Sequence, residues 1–466
     1  MTTVPRPAKP LDRSIVEGPI AMAVWMIAWP TMLQNFFGGV QGVVDQILVG
    51  HLVGYAGNAA IGVAVQILIV VIAFVMSVFT GMGVLVARFA GANDPEQVNR
   101  TVYQAFLAAL GLWGLLLAPL GWVLAPTLLN AVHATPEVQV QALPFLRISF
   151  LGSIGTLLFF MVGGALRSAG DARTPLVLGV TLTLLNIGFN IVCILGVGPV
   201  PRLGTAGAAV GTTAAGLVMS AVAAYLLFSG RLVVQWHRGM NWRPDWRMIR
   251  ELFRFGLPAG MQGIAMNIAG VLLLRFIGSL AESAQAQAAY SVGYGELFQF
   301  ITWTSYGLMS AAATVAGQNL GARRPDRSVQ GVHVAAWIAV GLAAVIGALF
   351  VTVPNVLLSL FGMKDLEVVA LGAQLLRFLS VSGLFVAVAL TYTGGLQGTG
   401  DTRSPLVISL ISQIFVPLGF CAMMQSWRGL HPTDIWLAIV LGHMTRCGLS
   451  ALQFRRGKWR EIAVHV

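Results

Sequence analysis

Long runs of apolar residues recur along the whole chain, and short polar segments separate them. Within each run apolar residues follow one another continuously instead of alternating with polar ones, which favours transmembrane helices over the strands of a membrane barrel. A run of about 20 apolar residues is long enough to cross a bilayer as a helix. We therefore predict twelve transmembrane helices, at roughly 20–49, 59–87, 101–125, 138–165, 176–197, 205–228, 255–278, 287–316, 332–354, 366–395, 406–426 and 433–453.

Two loop motifs of the first half return in the second half at a constant separation of about 230 residues. Segment 91–95 returns as 321–325, and segment 170–177 returns as 400–407. A constant spacing indicates that a unit of six spans is duplicated, as in many transporters. The predicted fold is therefore all-α, an integral membrane protein with twelve transmembrane helices in two pseudo-symmetric six-helix bundles.

The polar segment 229–254 is long enough to join two folded halves. We predict an N-terminal six-helix lobe at 1–228, a cytoplasmic linker at 229–254 and a C-terminal six-helix lobe at 255–466, which ends in a short cytoplasmic tail. Because each half has an even number of spans, both halves enter the membrane in the same direction.

Charged residues make up 10% of the chain, whereas soluble proteins have about 25%. The net charge is +11, and Arg and Lys gather in alternate loops and in both terminal segments. By the positive-inside rule we expect both termini in the cytoplasm of a multi-pass protein in a bacterial-type inner (plasma) membrane. The basic residues are spread among loops and form no single face, so we expect no nucleic-acid partner.

Three segments carry a family resemblance: 164–175, its repeat 395–405, and 315–322. They resemble the paired signature and the eighth-helix motif of the multidrug and toxic compound extrusion (MATE) family. The resemblance covers essentially all twelve spans. It implies a multidrug efflux antiporter that exports cationic or amphipathic drugs in exchange for H⁺ or Na⁺. We expect a monomer surrounded by membrane lipids, with no cofactor.

Two acidic residues, Asp45 and Glu296, lie within predicted spans and away from the polar loops. An acid inside the membrane costs about 2.5–3.5 kcal/mol on insertion scales, so such residues are functional hypotheses by default. Asn186 and Asn190 are four residues apart and share one face of the fifth helix. The resemblance places Asp45, Asn186 and Asn190 in a cation site. Two amides suit Na⁺, or hold Asp45 by hydrogen bonds, and Thr212 or its neighbour Thr213 completes the shell.

The second half does not repeat this site, because Val416, Phe420 and Leu273 stand near the equivalent positions. We therefore expect cation binding in the first lobe alone. A purely structural role is the alternative for each polar residue: an interhelical contact for the amides, and a carboxylate reaching interfacial water for Asp45.

Other polar residues within the spans are candidates for a substrate cavity: Gln34, Gln66, Gln262, Asn267 and Glu296. Glu296 either attracts a cationic substrate or pairs with Arg275, and both roles stay open. Pro30 and Pro258 interrupt the first and seventh helices, where a missing N–H favours a kink, so they are hinge candidates.

Three other protein classes compete with the antiporter. A flippase for a lipid-linked precursor needs a cationic cavity, for which Arg275, Arg377 and Arg446 are available. A major facilitator transporter is disfavoured because the Gly-rich loop at 321–327 has the wrong spacing and follows the eighth helix. A membrane enzyme is not expected, because no nucleophile–base or metal constellation is visible. The sequence has no Walker A motif, so an ion gradient is the expected energy source.

Overall fold

Helices make up nearly all of the computed structural model, which describes residues 11–53, 55–132, 135–237 and 239–464. Over these ranges the chain contains no β-strand. The long helices are α1 Ile20–Leu52, α2 Tyr55–Gly91, α3 Pro95–Ala131, α4 Pro136–Ser168, α5 Arg173–Leu195, α6 Thr205–Phe228, α7 Trp246–Gly278, α8 283–321, α9 Pro325–Thr352, α10 Leu366–Gly398, α11 Arg403–Trp427 and α12 Pro432–Arg455. Short helices lie at Ser14–Glu17, Pro354–Leu360 and Lys458–Glu461.

Ten of these helices, counted over the described part of the chain, are long and apolar enough to cross a membrane. The other two predicted spans correspond to α2, which contains the apolar stretches Ala59–Leu68 and Met76–Gly91, and to α8. α8 is interrupted by a π-helical segment at Ser291–Leu297 and is richer in hydroxyl and amide side chains. The predicted all-α membrane fold is confirmed.

The repeated loop motif is a helix-capping device. Asp171 accepts hydrogen bonds from the backbone N of Thr174 at 3.0 Å and from its Oγ1 at 2.6 Å. In the second half Asp401 accepts the same two bonds from Ser404, at 3.1 and 2.7 Å. The glycine before each aspartate has a left-handed φ, 105° at Gly170 and 96° at its counterpart, which lets the chain turn between helices. The motif thus starts α5 and α11.

Internal packing divides the chain into two compact units. The first is built mainly from Leu33–Leu257, and the second from Arg13–Met32 with Pro258–Ala463. The divisions therefore fall inside α1 and α7, within two residues of Pro30 and directly before Pro258. The predicted lobes at 1–228 and 255–466 differ from these units at two places. The first part of α1, predicted in the N-terminal lobe, belongs to the second unit, and the first part of α7 belongs to the first unit.

In the first unit α4 and α6 pack closely because small residues line their contact. In the second unit α10 packs against α8, α9 and α12. Gly394 and Gly398 of α10 lie against the backbone of α8: a Cβ at these positions would come within 2.2 and 2.1 Å of the carbonyl oxygens of Met309 and Ala313. Only glycine allows this approach.

The polar segment 229–254 packs onto the N-terminal part of α3 in the first unit. The Tyr103 hydroxyl donates to the carbonyl oxygen of Trp242 at 2.8 Å, and Gln104 accepts from the backbone N of Asp245 at 2.9 Å. Asp245 also pairs with Arg100.

In the second unit the segment before α1 packs against the end of α8 and the start of α9. Ile15 and Val16 are buried, at 1% and 2% exposure. Arg324 and Arg327 donate to the carbonyl oxygens of Val16 at 3.1 Å and Gly18 at 2.7 Å.

Candidate cation site and substrate cavity

A buried chain of hydrogen bonds joins α1, α5 and α6 in the first unit. Nδ2 of Asn190 donates to Oδ1 of Asp45 at 2.8 Å and to Oδ1 of Asn186 at 3.0 Å. Nδ2 of Asn186 donates in turn to Oγ1 of Thr212 at 2.9 Å. Both asparagines are 1% exposed, and Asp45 is half-buried. The four predicted cation-site residues thus form one continuous polar chain.

Helix geometry accounts for this convergence. Asn186 and Asn190 are one turn apart on α5, so both face the same neighbours. One turn before Asp45 on α1, Gln41 accepts a hydrogen bond from Oγ1 of Thr183 at 3.0 Å, which makes a second polar contact between α1 and α5. The sequence reasoning missed Gln41, although its spacing of four residues from Asp45 was a usable signal.

The site offers oxygen atoms to a hard cation. Oδ1 of Asn190 is buried and has no hydrogen-bond partner among the described residues, which leaves a strong acceptor unsatisfied. Gly211 of α6 makes room for this atom, because a Cβ there would lie 2.2 Å from it. With the carboxylate of Asp45, the amide oxygen of Asn186 and the hydroxyl of Thr212, the residues present fit Na⁺, which binds oxygen ligands. The single carboxylate also fits a proton.

A cavity of about 310 Å³ lies within the first unit between α2, α4 and α6. Its walls are mostly apolar, with a few hydroxyl groups. The lining residues are Leu68, Met76, Phe79, Phe145, Ser149, Gly152, Ser153, Thr156, Leu157, Phe160, Met161, Ala209, Thr212 and Thr213. Apolar and aromatic walls with a few placed polar groups are typical of sites for small organic molecules. Thr212 belongs both to this wall and to the polar chain.

None of the five predicted substrate-cavity residues lines this cavity. In the first unit Gln34 accepts a hydrogen bond from Nη1 of Arg167 at 2.9 Å, and Gln66 is exposed. Sequence reasoning instead missed the Met and Phe residues of α2 and α4, which carry no signal that separates a cavity wall from ordinary packing.

Two of the candidates lie on α7 in the second unit. Gln262 is buried and bonded on both sides: its Nε2 donates to Ser409 at 2.7 Å, and its Oε1 accepts from Gln397 at 3.0 Å. Asn267 is exposed, and its side chain donates to the carbonyl oxygen of Gly263. Their assignment to a substrate cavity stays a prediction.

Glu296 is half-buried on the π-helical segment of α8, and no ion pair joins it to Arg275 over the described ranges. Arg275 itself is exposed, as is Arg377. Of the three arginines that a flippase cavity needs, Arg446 alone is buried, with 4% of its surface exposed.

These features define a class: a helical, multi-pass membrane protein with duplicated halves and a buried polar site in one of them. A family model described as MatE matches residues 30–192 and 258–423, one copy in each half. The chain belongs to this MatE family, as the loop motifs predicted.

Known relatives extend over nearly the whole chain. A protein named probable multidrug resistance protein NorM, from Thermotoga maritima, is 27% identical over 94% of this chain and 93% of its own length. The multidrug resistance protein PmpM of Pseudomonas aeruginosa is 26% identical, over 98% and 96%. With these bacterial relatives and helices of this kind, the chain is a multi-pass protein of the bacterial inner membrane.

A solved structure shares the fold. It is described as the outward-facing conformation of a multidrug resistance MATE family transporter of the MOP superfamily. The TM-score is 0.88 at 22% identity, and the match covers 97% of this chain and 98% of that one. The twelve-helix fold of two lobes is therefore that of this chain as well.

Proposed function

We propose that this chain is a secondary active antiporter that exports organic cations and other drugs in exchange for H⁺ or Na⁺. The observation that supports this most is the carboxylate of Asp45 in a hydrogen-bonded chain that ends at Thr212 in a cavity wall. The relatives named multidrug resistance proteins support drug export as the physiological role.

The coupling ion acts first on Asp45. A proton on its carboxylate, or Na⁺ beside it, weakens the hydrogen bond from Asn190, because the acceptor loses its negative charge. Asn190 also donates to Asn186, and Asn186 donates to Thr212. The change at Asp45 therefore reaches the cavity wall through two further hydrogen bonds.

Repulsion between positive charges explains why the drug and the coupling ion exchange for one another. A cationic drug in the cavity and a coupling ion beside Asp45 lie in the same low-dielectric unit, where like charges repel strongly. Each ion lowers the affinity for the other by the same factor, because binding linkage is reciprocal. Loading from the outside then releases the drug outward.

The remaining structural assignments belong to the same proposal. Pro30 and Pro258 act as hinges in α1 and α7, and both termini face the cytoplasm. The two lobes span 1–228 and 255–466, joined by the linker 229–254.

The test uses the purified full chain in liposomes, with ethidium as the transported probe and separately imposed Na⁺ and pH gradients. We expect wild-type efflux to respond to one of the two gradients, which identifies the coupling ion. Asp45→Asn keeps the shape of the side chain but cannot lose a proton or offer a carboxylate, so it abolishes the gradient-dependent part. Glu96→Gln, an exposed acid at the start of α3, is the matched control.

Gradient-driven efflux by Asp45→Asn at the wild-type rate would remove the coupling site from the proposal. Wild-type efflux that ignores both gradients would overturn antiport itself.

A further inference from the structure

The second unit contains a buried guanidinium that has no hydrogen-bond or ion-pair partner among the described residues. Arg446, near the middle of α12, is 4% exposed, and its Nε makes no hydrogen bond. No hydrogen bond or ion pair joins Arg446 to any residue that the structure describes. A buried and uncompensated charge is strongly destabilising, and an ionisable residue at membrane depth marks a functional site by default.

A second polar group on the same face is also unsatisfied. Ser450 follows Arg446 by one helical turn and is fully buried, and its hydroxyl has no hydrogen-bond partner in the part of the chain that the structure describes. His443 precedes Arg446 by three residues, so the three side chains lie along one face of α12. His443 is 3% exposed, and its Nδ1 is hydrogen-bonded to the hydroxyl of Ser382 on α10. This face therefore carries two groups that can still form hydrogen bonds, the guanidinium of Arg446 and the hydroxyl of Ser450. The imidazole of His443, about one turn before Arg446, is held in place by Ser382.

Aromatic rings of α8 stand beside this face. The rings of Tyr290 and Tyr294 stack at 5.1 Å, those of Tyr294 and Phe298 at 5.2 Å, and Phe298 stacks on the imidazole of His443 at 5.8 Å. Tyr294 is thereby joined through Phe298 to the imidazole that lies one turn before Arg446. The surroundings thus combine one cation, hydroxyl donors and flat apolar surfaces.

Backbone irregularities border the same cluster. The π-helical segment Ser291–Leu297 carries Tyr294, and a second π-helical segment, Ile411–Phe415, packs against α12. Such segments are frequently found at functional sites. No acid within the described ranges forms an ion pair with Arg446. Glu296 pairs with no described cation, and Asp434, about three turns earlier on α12, is bound by Arg428 at 2.6 Å.

We propose that this cluster, the α12 face with Arg446 and Ser450 beside the rings of Tyr294 and Phe298, binds the carboxylate of an aromatic monoanion. A guanidinium binds a carboxylate through two parallel hydrogen bonds, and the phenol and serine hydroxyls donate to the remaining lone pairs. A planar ring packs against the aromatic surfaces. A single fixed cation matches one negative charge, which favours a carboxylate over a doubly charged phosphate.

The inference rests on the proposed transport function, because it assigns the second unit a substrate class. The transporter would accept simple aromatic monocarboxylates in addition to cations.

The test measures equilibrium binding of 2-naphthoate to the full chain in phosphatidylcholine nanodiscs. The neutral amide 2-naphthamide, which has the same shape, is the control ligand. We expect saturable binding of the carboxylate, at least about tenfold tighter than the amide, because only the carboxylate forms the charge-assisted pair. Arg446→Gln removes this preference, Arg446→Lys keeps part of it, and Arg377→Gln, an exposed arginine of α10, leaves it unchanged.

Equal binding of 2-naphthoate and 2-naphthamide by the wild type overturns the inference even if the Arg446 variants fail to fold. Displacement of naphthoate by added phosphatidylglycerol assigns the cation to a lipid headgroup and also overturns it. The Asp45→Asn variant separates the two proposals: naphthoate binding that persists there when ethidium efflux is lost supports the anion site on its own. If wild-type ethidium efflux depends on neither gradient while naphthoate binding is selective, only the antiport proposal is overturned.

Discussion

The side-chain amide of Asn190 donates a hydrogen bond to the carboxylate of Asp45 at 2.8 Å, and its own oxygen has no hydrogen-bond partner over the described ranges. An amide can be released from a carboxylate at less cost than a charged partner, since hydrogen bonds between two ions are the stronger ones. The arrangement therefore suits a site that must gain and lose a cation in every transport cycle.

Gly211→Ala tests the space that this oxygen needs. The added Cβ would lie 2.2 Å from Oδ1 of Asn190 and 2.7 Å from its backbone N, so α5 and α6 must separate. We expect a loss of stability of about 1–3 kcal/mol and a loss of ion-driven ethidium efflux. Gly188→Ala is the control, because Gly188 lies on the neighbouring helix α5 and faces open space. Thermal unfolding in detergent and liposome efflux report the two effects, and equal behaviour of both variants would contradict the role of Gly211.

Thr212→Val tests the connection between the ion site and the cavity. The substitution keeps the shape but leaves Nδ2 of Asn186 without its acceptor, which costs about 1–3 kcal/mol for a buried group. We expect drug efflux that no longer depends on the ion gradient. Thr213→Val changes the adjacent position of the cavity wall and keeps the ion dependence. Efflux rates at several gradient strengths distinguish the two variants, and an unaltered gradient dependence in Thr212→Val would contradict the connection.

At this scale the sequence predicted the members of the polar chain but not the cavity. Asp45, Asn186 and Asn190 stood out because polar residues are rare and costly in spans. Gly211 and the cavity wall did not, because their roles depend on which helices become neighbours. A spacing of four residues describes one helix face and says nothing about the partner helix.

Among the helices, the repeated Gly-Asp motif has one structural role in both halves. Asp171 and Asp401 each accept two hydrogen bonds from the residue three positions on, at the first turn of α5 and of α11. The sequence predicted membrane spans that begin within both motifs, at 176 and 406. It did not predict the π-helical segments of α3, α8 and α11, because a π turn leaves no periodic pattern in the apolar residues.

Asp171→Ala and Asp401→Ala remove these caps. We expect each substitution to lower the free energy of unfolding by about 0.5–2 kcal/mol, which is the usual value of a helix cap. The two caps lie in different units, so the double variant loses the sum to within about 0.5 kcal/mol. Denaturant unfolding of the purified protein measures this, and Asp→Asn variants, which keep a side-chain acceptor, are the controls. A double variant no less stable than either single one would argue against independent caps.

For the molecule as a whole, the compact units do not end at the linker. They divide α1 near Pro30 and α7 at Pro258. Each of these two continuous helices therefore contributes one part to the first unit and the other part to the second. Sequence reasoning placed the division in the polar segment 229–254, since a change in composition was the available signal. No change in composition marks the point within α1 or α7 at which the helix passes from one unit to the other.

Replacing the two prolines tests whether these helices bend during transport. Pro30→Ala and Pro258→Ala restore a backbone N–H and favour a straight helix. We expect a lower maximal rate of ethidium efflux, with ethidium affinity nearly unchanged. Pro144→Ala, in a helix that lies entirely within the first unit, keeps the wild-type rate. Initial rates over a range of ethidium concentrations separate rate from affinity, and three equal rates would remove the hinges.

The docking of the segment before α1 bears on how the protein is made. Ile15 and Val16 are buried beside α8, and the carbonyl oxygens of Val16 and Gly18 are bound by Arg324 and Arg327. On the ribosome the segment before α1 emerges well before its binding partners, which are synthesised some three hundred residues later. Final assembly must therefore wait until the chain is well into its second half. The first half expressed alone would leave the apolar segment before α1 exposed and prone to aggregation. Co-expression of the second half would supply the residues that bind this segment.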